Sequence, residues 1–157
     1  MNDAEFNEIS KFVYLLADKS KKITLEGFYS NLDPKTKKDG SPVTQYDIKA
    51  EKIICDLISK KFPNHNIFAE EISSKALGSD YTWIVDPIDG TMNFMNGIPQ
   101  FAISIGYEES GEIKCGVIFD PIKNEIFYAE KGGGAFLNNT RIRVSNKKKL
   151  KDSLLVT

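Results

Sequence analysis

Residues 83–94 read Trp83-Ile84-Val85-Asp86-Pro87-Ile88-Asp89-Gly90-Thr91-Met92-Asn93-Phe94. The apolar run at 83–85 predicts a strand that delivers Asp86 at its end. Pro87 has no N–H to donate and is expected to stop further strand pairing. Asp89, Gly90 and Thr91 then have the composition that opens a short helix. Two carboxylates are therefore predicted to leave the sheet together.

A bare Asp-Pro-x-Asp-Gly motif is most simply interpreted as a turn followed by a helix cap. Glu70 and Glu71 change that interpretation, because they are expected at the end of an earlier short strand and therefore at the same edge of the sheet. Four acids at one edge are costly unless a cation neutralises them. Mg²⁺ prefers oxygen ligands, so the pattern predicts a magnesium site.

The backbone N–H groups of Gly90 and Thr91, at the predicted start of the short helix, are available to hold a phosphate oxygen. Metal ligands beside a phosphate-binding turn are typical of phosphoryl transfer to water. The residues alone therefore indicate a phosphatase.

Two long helices are predicted before this motif. Over residues 3–29, apolar side chains recur at helical spacing, namely Phe6, Ile9, Phe12, Val13, Leu15 and Leu16. Residues 31–43 have turn and loop composition and are expected to be exposed. A second helix is predicted to begin at Thr44, which has capping-box spacing to Asp47, and to end before Pro63.

Short extended runs follow at 66–69, 81–85, 101–107, 113–119, 125–129, 135–137 and 141–144. Short turns at 109–111 and 121–124 favour hairpins between neighbouring antiparallel strands. The predicted fold class is α+β, with two helices on one face of a mostly antiparallel sheet. Residues 154–157 resemble the opening of a further buried strand.

Composition excludes some functions. The 157 residues fit one domain with one core. The formal net charge of −1 argues against nucleic acid and against an anionic membrane as partners. Cys55 and Cys115 lie in apolar surroundings and are expected to be buried thiols. Neither a secretory signal nor a membrane-spanning run is apparent, so the sequence predicts a cytoplasmic protein.

These motifs resemble the inositol monophosphatase family of lithium-sensitive, Mg²⁺-dependent phosphatases. The resemblance is carried by the 86–94 motif, Glu70-Glu71, Ser41-Pro42-Val43-Thr44-Gln45-Tyr46-Asp47, Phe101-Ala102-Ile103-Ser104-Ile105, residues 128–132 and residues 134–138. It covers most of the chain. The combination is highly specific, whereas a lone aspartate pair is not.

The resemblance implies a role for each matching residue. Glu70, Asp86 and the main-chain carbonyl of Ile88 would bind the Mg²⁺ that activates water, and Asp89 would hold a second ion with Asp86. The catalytic group would comprise Glu70, Asp47 and Thr91, with Thr91 positioning the water and Asp47 behind it. Gly90 and Thr91 would take the phosphate, and Lys37 would lie near it. His65 is interpreted as a turn residue rather than a catalytic base.

The chain departs from the family in one respect. Members normally continue into a second α/β domain with a Trp-Asp motif, whereas Trp83 is the sole tryptophan here. The expected organisation is a single metal- and phosphate-binding N-terminal domain over 1–157, the first half of the family's αβαβα fold. The isolated chain is expected to be weak or inactive as an enzyme, and the face that would meet the second domain is expected to favour self-association.

The substrate is expected to be a small phosphate ester, with inositol monophosphate favoured by the form of residues 92–97. Residues 37–44 are also similar to family branches that act on adenosine bisphosphates or histidinol phosphate, so these alternatives stay open. A third alternative is a non-catalytic interaction module like the bacterial extragenic suppressors of this family.

Overall fold

The computed structural model describes residues 3–71 and 74–154, with side chains from Glu8 onward. Its elements are α1 (Asp3–Phe28), β1 (Lys35–Thr36), β2 (Pro42–Val43), α2 (Gln45–Lys61), β3 (Asn66–Ala69), β4 (Tyr81–Asp89), α3 (Thr91–Met95), β5 (Ala102–Glu109), β6 (Glu112–Asp120), β7 (Glu125–Glu130), β8 (Gly134–Leu137) and β9 (Thr140–Ile142). A 3-10 turn at Leu150–Asp152 follows the last strand. The expected α+β class is confirmed.

Strands β3 to β9 form one seven-stranded sheet in sequential order. β3 pairs with β4 in parallel, and every later neighbour is antiparallel. Because β3 and β4 run in the same direction, their carboxyl ends meet at one edge of the sheet. That edge receives the acidic residues.

Helices α1 and α2 pack against each other and on one face of this sheet. Val13 and Leu16 of α1 and Ile54 and Ile58 of α2 are fully buried against Trp83 and its neighbours in the main core. Leu15 is 41% exposed, so this member of the apolar pattern of α1 lies outside the core. Phe6 lies outside the described side chains. Cys55 and Cys115 are buried and reduced, as expected.

The start of α2 follows from local chemistry. Thr44 caps the helix by accepting hydrogen bonds from the N–H groups of Tyr46 and Asp47, and the Asp47 carboxylate accepts from the Thr44 N–H in return. This reciprocal capping box satisfies donors that the first helical turn leaves unpaired. The predicted N-terminus of α2 is confirmed.

Two expectations about strands were wrong, and a third concerns mostly residues that the structure does not describe. Residues 35–36 and 42–43 pair as a small hairpin inside the segment expected to be loop. β4 continues through Pro87 to Asp89, with an irregular register against β5 between Asp86 and Asp89. Of the strand predicted to open at 154–157, Leu154 is 88% exposed, and 155–157 lie outside the described residues.

The sheet face opposite the helices exposes Ile113, Ile118 and Phe127. Self-association through this face stays a prediction. In the described residues, no helix is both long and apolar enough to cross a bilayer.

A second, smaller apolar cluster lies beneath the acidic edge and consists of Tyr46, Ile88, Phe94 and Phe101. Gly27 of α1 packs directly on it, since a Cβ there would lie 2.5 Å from Tyr46 Cγ and 2.8 Å from Phe94 Cζ. Rigid ring atoms cannot yield as the end of a long side chain does.

Gly27→Ala is therefore expected to destabilise the fold by about 1–3 kcal/mol through overpacking, even though alanine favours helix by about 1 kcal/mol. Urea denaturation followed by far-UV circular dichroism measures the difference. Lys22→Ala, at an exposed position of the same helix, controls for helix propensity. A Gly27→Ala variant as stable as Lys22→Ala would contradict the packing argument.

Candidate active site

The acidic edge forms where β3 and β4 end side by side. Glu70 directly follows β3, and its N–H donates to the carbonyl of Val85 on β4 at 3.2 Å. Asp86 follows Val85, and Asp89 ends β4. The structure therefore places Glu70, Asp86 and Asp89 at the same edge of the sheet. Glu70 and Asp86 are sixteen residues apart in the sequence.

Burial and neighbouring negative charge change the protonation of Asp86. The pKa of Asp86 is raised to about 7, first by burial, then by the charge and hydrogen bond of Glu70 and by the charge of Asp89. The N–H of Ile88 donates to Asp86 Oδ1 at 3.1 Å and opposes this shift. A carboxyl group that holds its proton near neutral pH belongs to a site where negative charge is crowded.

Asp89 does not act as a helix cap. The N-cap of α3 is Gly90, with φ of 92°, and no side chain caps the helix. A Cβ on Gly90 would lie 3.1 Å from the carbonyl oxygen of Gln100, so this left-handed turn requires glycine. The exposed carboxylate of Asp89 is consequently free of the capping role that a simple turn motif would give it.

Thr91 and Asp47 form a second part of the site. The Thr91 hydroxyl lies 3.2 Å from Asp47 Oδ1 and 3.1 Å from the carbonyl oxygen of Ile88, so it can donate its single proton to either. Thr44 donates to the other Asp47 oxygen through both its N–H and its hydroxyl. Burial raises the pKa of Asp47, and the hydrogen bonds from Thr44 and Thr91 oppose that rise. The capping acid of α2 thus also holds Thr91.

Lys37 reaches the acidic edge from the small β1–β2 hairpin. Its Nζ lies 2.9 Å from Glu70 Oε1 and 3.1 Å from Glu71 Oε1. Burial opposes a rise in its pKa, but the hydrogen bonds and charges of Glu70 and Glu71 prevail and raise the pKa of Lys37. The lysine therefore stays charged beside the carboxylates.

Glu51 is a part of the site that sequence reasoning missed. Its side chain is fully buried on α2, and its Oε2 accepts the N–H of Glu71 at 2.6 Å. Glu71 is itself nearly buried, and burial raises its pKa against the opposing charge of Lys37. Asp47 and Glu51 lie four residues apart on the buried face of α2, and two acids on an apolar helix face were the available signal.

A cavity of about 430 Å³ adjoins Asp89 and Gly90. Its wall includes the polar side chains of Asn93, Gln100 and Lys123. A small polar molecule attached to a phosphate at Gly90 and Thr91 would have room here.

The donor types suit a hard cation, because Glu70, Asp86 and Asp89 offer carboxylate oxygens and Ile88 a carbonyl oxygen. Within residues 3–71 and 74–154, however, no three His, Cys, Asp or Glu side chains converge as a metal-binding group. The Lys37 ammonium pairs with Glu70, and Asp86 interacts electrostatically with Glu70 and Asp89. The donor chemistry of these residues suits Mg²⁺, whereas the described side chains do not converge on a common point.

The fold is an α+β domain whose sheet carries acidic side chains at one edge. Residues 5–157 match the model of the inositol monophosphatase family, and the chain belongs to that family. The resemblance given by the sequence motifs is confirmed.

Named relatives show the range of this family. The chain is 51% identical over 111 residues to a fructose-1,6-bisphosphatase/inositol-1-monophosphatase of Thermotoga maritima, covering 70% of this chain and 42% of that protein. It is 41% identical over 131 residues to a histidinol-phosphatase of Chlorobaculum parvum, covering 83% and 51%.

Among solved structures, the extragenic suppressor protein SuhB from Bartonella henselae superposes with a TM-score of 0.86 and 40% identity, covering 91% of this chain and 57% of that one. The chain spans about half the length of the curated relatives it matches.

Proposed function

We propose that this chain is the metal- and phosphate-binding half of a Mg²⁺-dependent phosphomonoesterase. The observation that supports this most is the pairing of Thr91 with Asp47 next to the crowded carboxylates Glu70, Asp86 and Asp89. A domain with only structural demands has no reason to place so many acids at one sheet edge.

Thr91 would position the attacking water. When Thr91 donates its proton to Asp47, its oxygen keeps lone pairs that can accept a hydrogen bond from water. Asp47 is held in turn by Thr44, so the acceptor cannot rotate away. The pair would orient one O–H of the water and leave its oxygen lone pair pointing toward phosphorus.

The phosphate would be held by the N–H groups of Gly90 and Thr91, with the positive charge of Lys37 nearby. Glu70, Asp86, Asp89 and the Ile88 carbonyl would hold Mg²⁺, and the family is generally metal-dependent. When bound, the metal would lower the pKa of a water molecule and offset charge on the phosphate. Binding at Glu70 requires Lys37 to yield its ion pair there.

The substrate is proposed to be a small phosphate ester, with inositol monophosphate favoured. The names of the relatives keep fructose 1,6-bisphosphate and histidinol phosphate as alternatives, and adenosine bisphosphate stays an alternative from the sequence. We propose that contacts to the rest of the substrate come from the part of the relatives that the chain does not match.

The chain is therefore expected to bind Mg²⁺ weakly and to release phosphate slowly or not at all from any of these four esters. Mg²⁺ titration followed by amide NMR should perturb residues 88–91, and a phosphate-release assay measures turnover. Asp89→Asn is the matched control for both measurements, because it removes the charge of an exposed proposed ligand without changing the size of the side chain. If no amide responds to Mg²⁺, the proposed metal site is refuted. If this chain alone hydrolyses one of these esters rapidly, the proposal that the remaining substrate contacts lie outside it is refuted.

One observation favours a second candidate function. A structure that this chain resembles closely is that of an extragenic suppressor protein, so the domain is alternatively a non-catalytic interaction module. The Asp89→Asn variant separates the two, because an interaction role in the cell survives it and a phosphatase role does not.

A further inference from the structure

His65 lies in a ring-lined niche between the end of α2 and the start of β3. Its imidazole stacks on Phe62 and on Tyr81, each with a ring-centroid distance of 4.8 Å. The ring centroid of Tyr107 on β5 lies 6.1 Å from that of His65. The residue expected to be a simple turn residue is therefore packed among aromatic side chains of three elements.

The indole of Trp83 fixes the protonation state of this imidazole. Trp83 Nε1 lies 3.1 Å from His65 Nδ1. Because an indole N–H only donates, His65 Nδ1 must accept, which requires the neutral imidazole with its proton on Nε2. Trp83 is fully buried, so its N–H cannot turn to water instead.

Several titratable groups lie on the elements around His65. The groups on surrounding elements that can carry charge are Glu8, Lys61, Lys75, Tyr81, Tyr107 and Cys115. Lys61 pairs with Glu8, and Lys75 donates to the carbonyl of Pro63. Among the described residues, no carboxylate forms a salt bridge with the imidazole, and burial lowers the pKa of His65.

Trp83 connects this contact to the acidic edge. It lies on β4 opposite Ile67 of β3 and Tyr107 of β5, three residues before Asp86. A tether on the Trp83 side chain therefore acts on the strand that delivers Asp86 and Asp89.

We propose that His65 is a pH-sensitive positioning residue: its neutral imidazole ties Trp83, and with it β4, to the loop between α2 and β3, and protonation releases that tie. Upon protonation, Nδ1 becomes a second donor facing the indole donor, so the hydrogen bond is lost. The consequence for Asp86 and Asp89 rests on the proposed function, whereas the tie itself is independent of metal or substrate.

The test uses the untagged chain, in which His65 is the sole histidine and Trp83 the sole tryptophan. One imidazole resonance and one indole N–H resonance then report on the pair without assignment ambiguity. Between pH 8 and pH 5, His65 is expected to titrate with a midpoint below its ordinary value of about 6.5. The indole resonance, and the hydrogen exchange of β3 and β4 amides, should change with that same midpoint, with exchange about five- to tenfold faster in the protonated form.

His65→Asn is the matched control, because its side-chain carbonyl can stand near the position of Nδ1 and does not titrate. It should keep the hydrogen-bonded indole resonance and lose its pH dependence. A midpoint at or above 6.5, or an indole resonance that ignores the His65 titration, would overturn the proposal. A chain that binds no Mg²⁺ would refute the metal site and leave this result unchanged.

Discussion

Asp86→Asn is expected to stabilise the folded chain at pH 8 and to abolish Mg²⁺ binding. Both effects have one cause, the crowding of negative charge at the end of β4. Burial, Glu70 and Asp89 raise the pKa of Asp86 to about 7, so its charged form is disfavoured in the folded protein. An amide of the same shape removes that charge and, with it, the carboxylate proposed to bind the metal.

The pH dependence follows from the direction of this shift. The pKa of Asp86 is higher in the folded state than the ordinary 3.8 of an unfolded aspartate. Between about pH 4 and pH 7 the folded state binds more protons, so stability falls as pH rises through that window. Above pH 7 the folded state bears the full free-energy cost of the charged Asp86 carboxylate. Because the carboxylate is partly exposed, we expect a gain of about 1–2 kcal/mol for Asp86→Asn at pH 8 and almost none at pH 4.

Urea denaturation of the wild type and of Asp86→Asn at pH 8 and pH 4 measures this difference. Asp89→Asn is the control for the effect of burial. Because Asp89 is exposed, removal of its charge should change the stability little, while it should also weaken Mg²⁺ binding. Equal stabilisation by Asp86→Asn at both pH values would show that charge is not the cause. Retained Mg²⁺ binding would remove Asp86 from the set of ligands.

Local signals in the sequence predicted most of the fold. The capping box of Thr44 and Asp47 placed the start of α2, because its partners lie three residues apart. Pro87 misled the prediction of β4 for a physical reason. β3 ends opposite Val85, so beyond that point one side of β4 has no strand partner, and the missing N–H of Pro87 costs no ladder bond there. On the other side of β4, the register shift against β5 accommodates Pro87.

Two kinds of sequence signal pointed to the candidate site, namely local motifs and, for Asp47 and Lys37, the resemblance to the family. Asp86, Asp89, Gly90 and Thr91 are adjacent in the chain, so one local pattern located them. The ion pair of Lys37 with Glu70 joins residues separated by 33 positions, and the bond of Glu51 to Glu71 joins residues separated by 20. Such contacts depend on how α2 and the small hairpin pack against β3, which no local pattern encodes.

Glu51 should therefore have a larger effect on stability than its place in an ordinary helix suggests. Glu51→Leu is expected to destabilise the fold by about 2–4 kcal/mol, because it leaves the buried N–H of Glu71 without its acceptor. Glu51→Gln keeps an acceptor oxygen at similar reach and is expected to cost about 1 kcal/mol or less.

The comparison of these two variants separates hydrogen bonding from charge. If the acceptor is what matters, urea denaturation ranks the proteins as wild type, Glu51→Gln and then Glu51→Leu, in order of falling stability. The amides of residues 69–71 should exchange faster in Glu51→Leu, because Glu51 fixes the backbone that presents Glu70 to Asp86 and to Lys37. If Glu51→Gln is as unstable as Glu51→Leu, the negative charge itself stabilises the turn after β3. If instead Glu51→Leu is as stable as wild type, apolar burial compensates fully for the lost acceptor, and Glu51 is retained for the geometry of the site rather than for the stability of the fold.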